Sequence, residues 1–185
     1  MRKLAGCVLS TALSVFPSAA CLAQGVNLTV GGGTGDLNFD RGTAISSNGG
    51  EDDTFVGEIG VGYRFANNVA IEGSSNAGFN IAAIFLGGSY EFQETRLMAG
   101  YAFPVTEKLR LVPTLGVSLW DLEAVDGLFS FLPTARQSTS GTDIAWRFAG
   151  EYYFGERFGA YFSYSGTNPD FGSFSLLSFG MKVQF

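Results

Sequence analysis

The stretch LSFGMKVQF, residues 177–185, ends the chain and decides the fold. Its large apolar residues alternate strictly with small or polar ones, which is the period of a β-strand with two different faces. In water, the edge of such a strand favours aggregation. In a closed membrane barrel, the apolar face meets lipid and the polar face meets the lumen. The stretch therefore predicts a small outer-membrane β-barrel.

Working back along the chain, the same alternation recurs in seven further segments: 26–30, 55–65, 69–72, 97–103, 109–119, 144–154 and 158–164. Short polar turns lie near 66–68, 104–107 and 155–157, and long polar segments lie near 34–53, 77–92, 121–142 and 166–172. Short periplasmic turns and long external loops are typical of outer-membrane barrels. The pattern predicts an all-β fold, an eight-stranded antiparallel up-and-down transmembrane β-barrel with both ends in the periplasm.

Three segments fit this scheme less simply. Residues 81–85 (IAAIF) are assigned to loop 2 or the barrel rim, because a ninth strand would break the even strand count. Pro113 lies inside a predicted strand without an N–H to donate, so a bulge is expected there. Residues 31–35 (GGGTG) lack the Lys-Ser/Thr of a phosphate-binding loop, and a flexible loop is the favoured interpretation.

Composition supports a membrane barrel. Only 15% of the 185 residues are charged, below the roughly 25% of an average soluble domain. No run of 18 apolar residues occurs, which excludes a spanning helix. Aromatic residues at the predicted periplasmic strand ends indicate an interfacial girdle, formed by Tyr63, Phe65, Tyr101, Phe103, Tyr152, Phe154, Phe158 and Phe185. A soluble β-sandwich is the alternative, but it explains neither the terminal aromatic strand nor the N-terminus.

The N-terminus predicts a cleavable signal peptide, residues 1–23, ahead of a barrel domain, residues 24–185. A basic Met1-Arg2-Lys3 precedes the apolar segment 4–16 and then small residues, with cleavage after Ala23 or Ala20. Lipidation of Cys21 is a less favoured alternative. Removing Arg2 and Lys3 leaves 9 basic (11 − 2) and 17 acidic residues, a charge of −8. This acidic balance argues against nucleic-acid binding.

Residues 96–123, RLMAGYAFPVTEKLRLVPTLGVSLWDLE, resemble the fourth and fifth strands of the OmpA-like transmembrane barrel family, which includes opacity-type surface proteins. Residues 62–65 and 148–153 resemble strand ends of the same family. The resemblance implies outer-membrane lipids, lipopolysaccharide, periplasmic chaperones and the barrel-assembly machinery of Gram-negative bacteria as partners. It also implies an assembly signal in the last strand, Leu177, Phe179, Met181, Val183 and Phe185. No peptidoglycan-binding domain is expected after Phe185.

The lumen is the first candidate site, since eight strands leave an interior about wide enough for side chains to fill. Alternation places nine charged residues inside: Glu58, Arg64, Glu72, Glu94, Arg96, Arg110, Arg147, Glu151 and Lys182. Buried charges are costly unless paired, so mutual pairing is expected, with Glu151 reaching Arg110 or Arg147. Such pairs form either a fixed salt-bridge plug, the favoured hypothesis, or the gate of a narrow channel.

The outer loops are the second candidate. They carry Asp36, Asp40, Glu51, Asp52, Asp53, Asp121, Glu123 and Asp126, expected to form a hydrated acidic surface. Binding of Ca²⁺ or Mg²⁺ there is a less favoured alternative. With no histidine and no Gly-x-Ser-x-Gly, we expect no enzyme, metal or cofactor. The predicted function is a structural or surface-interaction barrel supporting envelope integrity or adhesion; alternatives are a low-conductance porin-like channel and, distantly, a lipid-modifying enzyme.

Overall fold

A computed structural model of the chain describes residues 24–39, 50–79, 89–126, 135–170 and 172–185. These residues form strand segments joined by turns: β1 Gly25–Phe39, β2 Gly50–Arg64, β3 Val69–Phe79, β4 Ser89–Tyr101, β5 Phe103–Pro104, β6 Leu109–Asp126, β7 Ala135–Tyr153, β8 Phe158–Thr167 and β9 Gly172–Gln184. No helix in the described part of the chain is long and apolar enough to cross a membrane. The predicted signal peptide and residues 81–85 lie outside the described residues.

The strands close into a barrel. Each strand pairs antiparallel with its neighbours along the chain, and the first strand, β1, also pairs with the last, β9. The two-residue β5 continues β4 beyond an interruption at Ala102, and both segments pair with β6. The barrel therefore crosses the membrane eight times, which confirms the predicted eight-stranded up-and-down topology.

Alternation sorts the side chains between the two faces as predicted. Val30, Ile59, Leu115, Ile144 and Phe179 point outward and are among the most exposed apolar residues. On β6 the outward apolar run lasts from Leu109 to Leu119 before Asp121 follows. Ten residue steps of about 3.3 Å, tilted by about 40°, give a height of about 25 Å. This matches the apolar band of an outer-membrane barrel.

Three tight turns lie at one end, together with Gly25 and Phe185. In the first turn, Phe65 donates its N–H to the Val69 carbonyl (2.9 Å), and Asn68 adopts a left-handed conformation with φ 65°. Asparagine tolerates this conformation better than most residues. In the second turn, the Thr106 hydroxyl accepts the N–H of Leu109 at 2.9 Å. The predicted short turns and the common location of the two ends of the barrel, Gly25 and Phe185, are confirmed.

Two expectations about the long segments were wrong. Residues 31–35 form part of β1 and are not a flexible loop, and β1 and β2 remain paired from Gly25↔Arg64 to Phe39↔Gly50. Similarly, β6 and β7 remain paired out to Asp126↔Ala135. Beyond the lipid the outward face of a strand meets polar surroundings, so the outward apolar residues cease while backbone pairing continues. The loops between these strands are correspondingly shorter than predicted.

The expected bulge at Pro113 is also absent. The β4–β6 register reaches Gly100↔Thr114 and resumes between β5 and β6 at Phe103↔Leu111, three residues further along each strand. Pro113 pairs with Phe148 on β7 in unbroken register. The missing N–H of proline interrupts the neighbouring strand at Ala102 instead, because a ladder hydrogen bond is lost there. No residue is inserted.

Candidate functional site

Nine charged side chains from strands β2, β3, β4, β6, β7 and β9 lie in the interior of the barrel. Alternation turns each of them inward, and most are almost completely buried. The least buried of the nine residues expected in the lumen is Glu72, whose side chain is 12% exposed. The structure thus places all nine in the interior: Glu58, Arg64, Glu72, Glu94, Arg96, Arg110, Arg147, Glu151 and Lys182.

Six of these side chains form one continuous chain of alternating charge, which we call the ion chain: Arg64, Glu151, Lys182, Glu72, Arg147 and Glu58. Glu151 receives Arg64 on one oxygen and Lys182 on the other, both at 2.6 Å. Lys182 also contacts Glu72 at 3.1 Å. Arg147 joins Glu72 at 2.5 Å and Glu58 at 3.2 Å. The chain crosses the lumen repeatedly between β2, β3, β7 and β9.

Three bases and three acids make the ion chain electrically neutral. Glu151 and Glu72, the two carboxylates that do not end the chain, each contact two cations. Expected partners for Glu151 were wrong: it pairs with Arg64 and Lys182, and not with Arg110 or Arg147. Arg110 lies opposite Glu151 in the sheet register, but its guanidinium stacks over the Tyr153 ring, 4.5 Å from the centroid. Tyr153 also donates its hydroxyl to Glu151 at 3.1 Å.

A second charged cluster centres on Glu94. Arg96 contacts one Glu94 oxygen at 2.7 Å, and Asn76 donates to the same oxygen at 3.1 Å. The Ser118 hydroxyl donates to the other oxygen at 2.6 Å. Arg96 in turn reaches across the lumen and donates to the Ser165 hydroxyl at 2.7 Å. These contacts tie β3, β4, β6 and β8 together.

Apolar side chains fill the interior towards the long-loop end, and sequence inspection did not identify them. Phe92 and Phe174 pack with ring centroids 4.4 Å apart. Trp120 is 4% exposed and donates its indole N–H to Asp143 at 2.6 Å. The full cluster, called the outer plug, contains Leu37, Val56, Phe92, Trp120, Leu122, Phe174 and Leu176. It occupies the lumen between the charged clusters and the outer rim.

The outer rim is the part of the barrel wall beyond the apolar band. On the adjacent strands β4, β6 and β7 its outward residues are polar, namely Gln93, Asp121 and Ser140. A cleft of about 430 Å³ lies at the boundary between band and rim, lined by residues that include Ser75, Thr95, Leu119, Asp121 and Thr142. The side chains of Asp40, Glu51, Asp52, Asp53 and Asp126 lie outside the described residues, so cation binding by the acidic loops stays a hypothesis.

A closed antiparallel barrel with a lipid-facing apolar band and a polar interior defines an integral outer-membrane protein. Comparison with family models identifies the family of outer-membrane proteins. It belongs to the family of the outer membrane protein beta-barrel domain, whose model matches residues 5–185. The protein is located in the bacterial outer membrane. A search among curated proteins finds no match.

Solved structures share the fold at low sequence identity. The attachment invasion locus protein Ail of Yersinia pestis matches with a TM-score of 0.62 and 16% identity, over 88% of this chain and 99% of that chain. Neisserial surface protein A matches with a TM-score of 0.66 and 14% identity, over 86% and 96%. The N-terminal barrel of Pseudomonas aeruginosa OprF gives 0.61 and 16%, over 88% and 98%. These likenesses confirm the OmpA-like barrel predicted from sequence.

Proposed function

We propose that the protein acts through its outer rim and loops, as a surface-interaction barrel, while its interior is a static filling. The observation that carries this proposal is the outer plug, which occupies the lumen with packed aromatic and aliphatic side chains. Protein interiors packed in this way leave few voids larger than a water molecule. The wall that projects beyond the apolar band is then the surface available to partners.

Two further observations support the proposal. The ion chain pairs each carboxylate with at least one cation and links four strands, as expected of a fixed packing element. Among the similar structures are an attachment invasion locus protein, also solved with the heparin analogue sucrose octasulfate, and a surface protein. The proposed partner binds at the cell surface, where it contacts the outer rim.

The competing function is a narrow channel, and electrical recording separates the two. Reconstituted into planar bilayers, the native protein is expected to show no steady conductance, because Phe92, Trp120 and Phe174 obstruct the lumen. The double variant Phe92→Ala, Phe174→Ala removes two aromatic rings from the outer plug. It is expected to produce measurable channel openings. The matched control is Phe148→Ala with Phe179→Ala, which removes two outward rings of the same type. A native protein with steady conductance would contradict the proposal.

We further propose a role without enzymatic activity, since the chain contains no histidine to activate a serine or water. Residues 1–23 act as a cleaved signal peptide in this proposal. Outer-membrane lipids and lipopolysaccharide surround the apolar band, and periplasmic chaperones deliver the chain. The barrel-assembly machinery recognises the last strand through Leu177, Phe179, Met181, Val183 and Phe185. Four of these residues, Leu177, Phe179, Met181 and Phe185, are exposed at outward positions, which supports this assignment.

A further inference from the structure

The charges that face the lumen do not balance. Five of the nine interior residues are bases and four are acids. Arg110 forms no ion pair with any residue that the structure describes, whereas each of the other four bases contacts at least one carboxylate: Arg64, Arg96, Arg147 and Lys182. The interior therefore carries one excess positive charge, and this charge lies on Arg110.

Arg110 is too deeply buried for water to compensate its charge from the surface. Its side chain is 3% exposed, and its Nη1 is buried without a hydrogen-bond partner in the described part of the chain. The ring of Tyr153 attracts the guanidinium, 4.5 Å from the ring centroid, but it carries no negative charge. Burying an unpaired cation costs more than such a contact returns. A negatively charged group is therefore required beside Arg110.

A second buried donor approaches the same ring. The Cζ of Arg64 lies 5.9 Å from the centroid of Tyr153, and the Arg64 Nε is buried without a partner among the residues described. Arg64 is the last residue of β2, and Arg110 is the second residue of β6. Both donors thus lie at the end of the lumen that carries the short turns.

From this arrangement we propose that the periplasmic end of the lumen binds one small inorganic anion of the size of chloride, held by Arg110. A single monovalent ion balances the one excess positive charge of the interior. A lipid phosphate or a peptide carboxylate would need the guanidinium at the surface, and its burial rules out such large ligands. The anion enters from the periplasm, because the outer plug fills the opposite end. The Nε of Arg64 supplies a second donor.

Urea unfolding in detergent micelles tests the site, with sodium chloride replacing sodium gluconate at constant ionic strength. A ligand that binds only the folded barrel stabilises it by mass action, so the folding equilibrium constant is expected to rise about threefold between about 10 and 500 mM chloride. Arg110→Met is expected to abolish this response. Arg157→Met, which removes an exposed base before β8, is the control and is expected to retain it. An undiminished response in Arg110→Met would overturn the proposal.

A carboxylate built into the wall is expected to replace the anion. Pro104 pairs with Arg110 in the β5–β6 register, so the two side chains lie on the same face of the sheet and close together. Pro104→Glu is therefore expected to remove the chloride response, and Pro104→Gln, which has the same shape without the charge, is expected to keep it. Equal chloride responses in these two variants would contradict the site.

Diffraction from the native protein provides a test that needs no variant. Bromide resembles chloride in charge and size and is located by its anomalous scattering. Crystals grown in sodium bromide are expected to show one bromide within hydrogen-bond reach of the Arg110 guanidinium, inside the barrel. Ordered crystals with no anomalous peak beside Arg110 would refute the proposal.

Discussion

Replacing Arg147 with alanine is expected to destabilise the folded barrel by about 3–5 kcal/mol, the usual cost of removing one partner from a buried ion pair. Arg147 is 6% exposed and is the only residue of the ion chain that contacts both Glu58 and Glu72. Its removal deprives Glu58 of its charged partner and leaves Glu72 with Lys182 alone. Urea unfolding in detergent micelles, followed by tryptophan fluorescence, measures this change in the free energy of unfolding.

The matched control is Arg110→Ala. Arg110 is similarly buried but has no carboxylate partner among the described residues, and its ring contact with Tyr153 is worth about 2 kcal/mol. A smaller loss of stability is therefore expected. Adding Glu58→Gln to Arg147→Ala is expected to restore part of the stability, because Glu58 is the carboxylate that loses its cation. Equal losses from Arg147→Ala and Arg110→Ala would contradict the ion chain as the dominant interior interaction.

Deleting Phe185 is expected to abolish most outer-membrane assembly in cells while barely changing the stability of purified barrel. In the folded protein Phe185 is 65% exposed and contributes one backbone hydrogen bond, to the Val26 carbonyl at 2.9 Å. Such a residue contributes little to the free energy of unfolding, so a large cellular defect points to recognition during assembly. Heat-modifiable gel mobility of outer-membrane fractions measures assembly, and urea unfolding of refolded protein measures stability.

Phe154→Ala provides the comparison for this deletion. Phe154 is an exposed periplasmic aromatic of the same girdle, but it belongs to the β7–β8 turn and not to the last strand. Its replacement is expected to leave assembly near the native level. Normal assembly without Phe185 would refute the assembly signal. Equal losses of assembly and of purified stability would assign Phe185 a structural role instead.

The barrel itself was predictable because lipid outside and polar groups inside impose strict alternation on each strand. Leu177, Phe179 and Met181 face lipid and Ser178 and Lys182 face the lumen, as their spacing indicates. The short turns were predictable for the same reason, since alternation stops there and turn-forming residues follow. Where the environment differs on the two faces, the sequence records which face each residue occupies.

The outer part of the barrel was not predictable from the same pattern. Beyond the membrane the outward face is polar, so the outward apolar residues that mark a membrane strand are missing there, and the ends of β1, β6 and β7 resemble loops in sequence. Leu37 and Phe92 were accordingly assigned to loops, and Phe174 was assigned to no strand, although all three lie inward and form part of the outer plug. Their apolar character in otherwise polar segments was the available signal. In these outer segments an apolar residue marks the lumen-facing side of the strand, whereas in the membrane band it marks the lipid-facing side.

Ion-pair partners were also beyond prediction from sequence. Alternation placed Glu151 in the lumen, but its choice of Arg64 and Lys182 depends on strand tilt, barrel closure and the lengths of three side chains. Lys182 lies on β9 and Arg64 on β2, so their approach to β7 exists only in the closed barrel.

The central claim, that the apolar face of the barrel meets lipid while the opposite face fills the lumen, is tested most directly by the two tryptophans. Trp146 points outward and is 39% exposed, whereas Trp120 points inward and is 4% exposed. Single-tryptophan proteins are made with Trp120→Phe or Trp146→Phe and reconstituted in vesicles of brominated phospholipid, which quenches fluorophores that contact its chains. We expect strong quenching of Trp146 and little quenching of Trp120. Equal quenching of both, or stronger quenching of Trp120, would contradict the account.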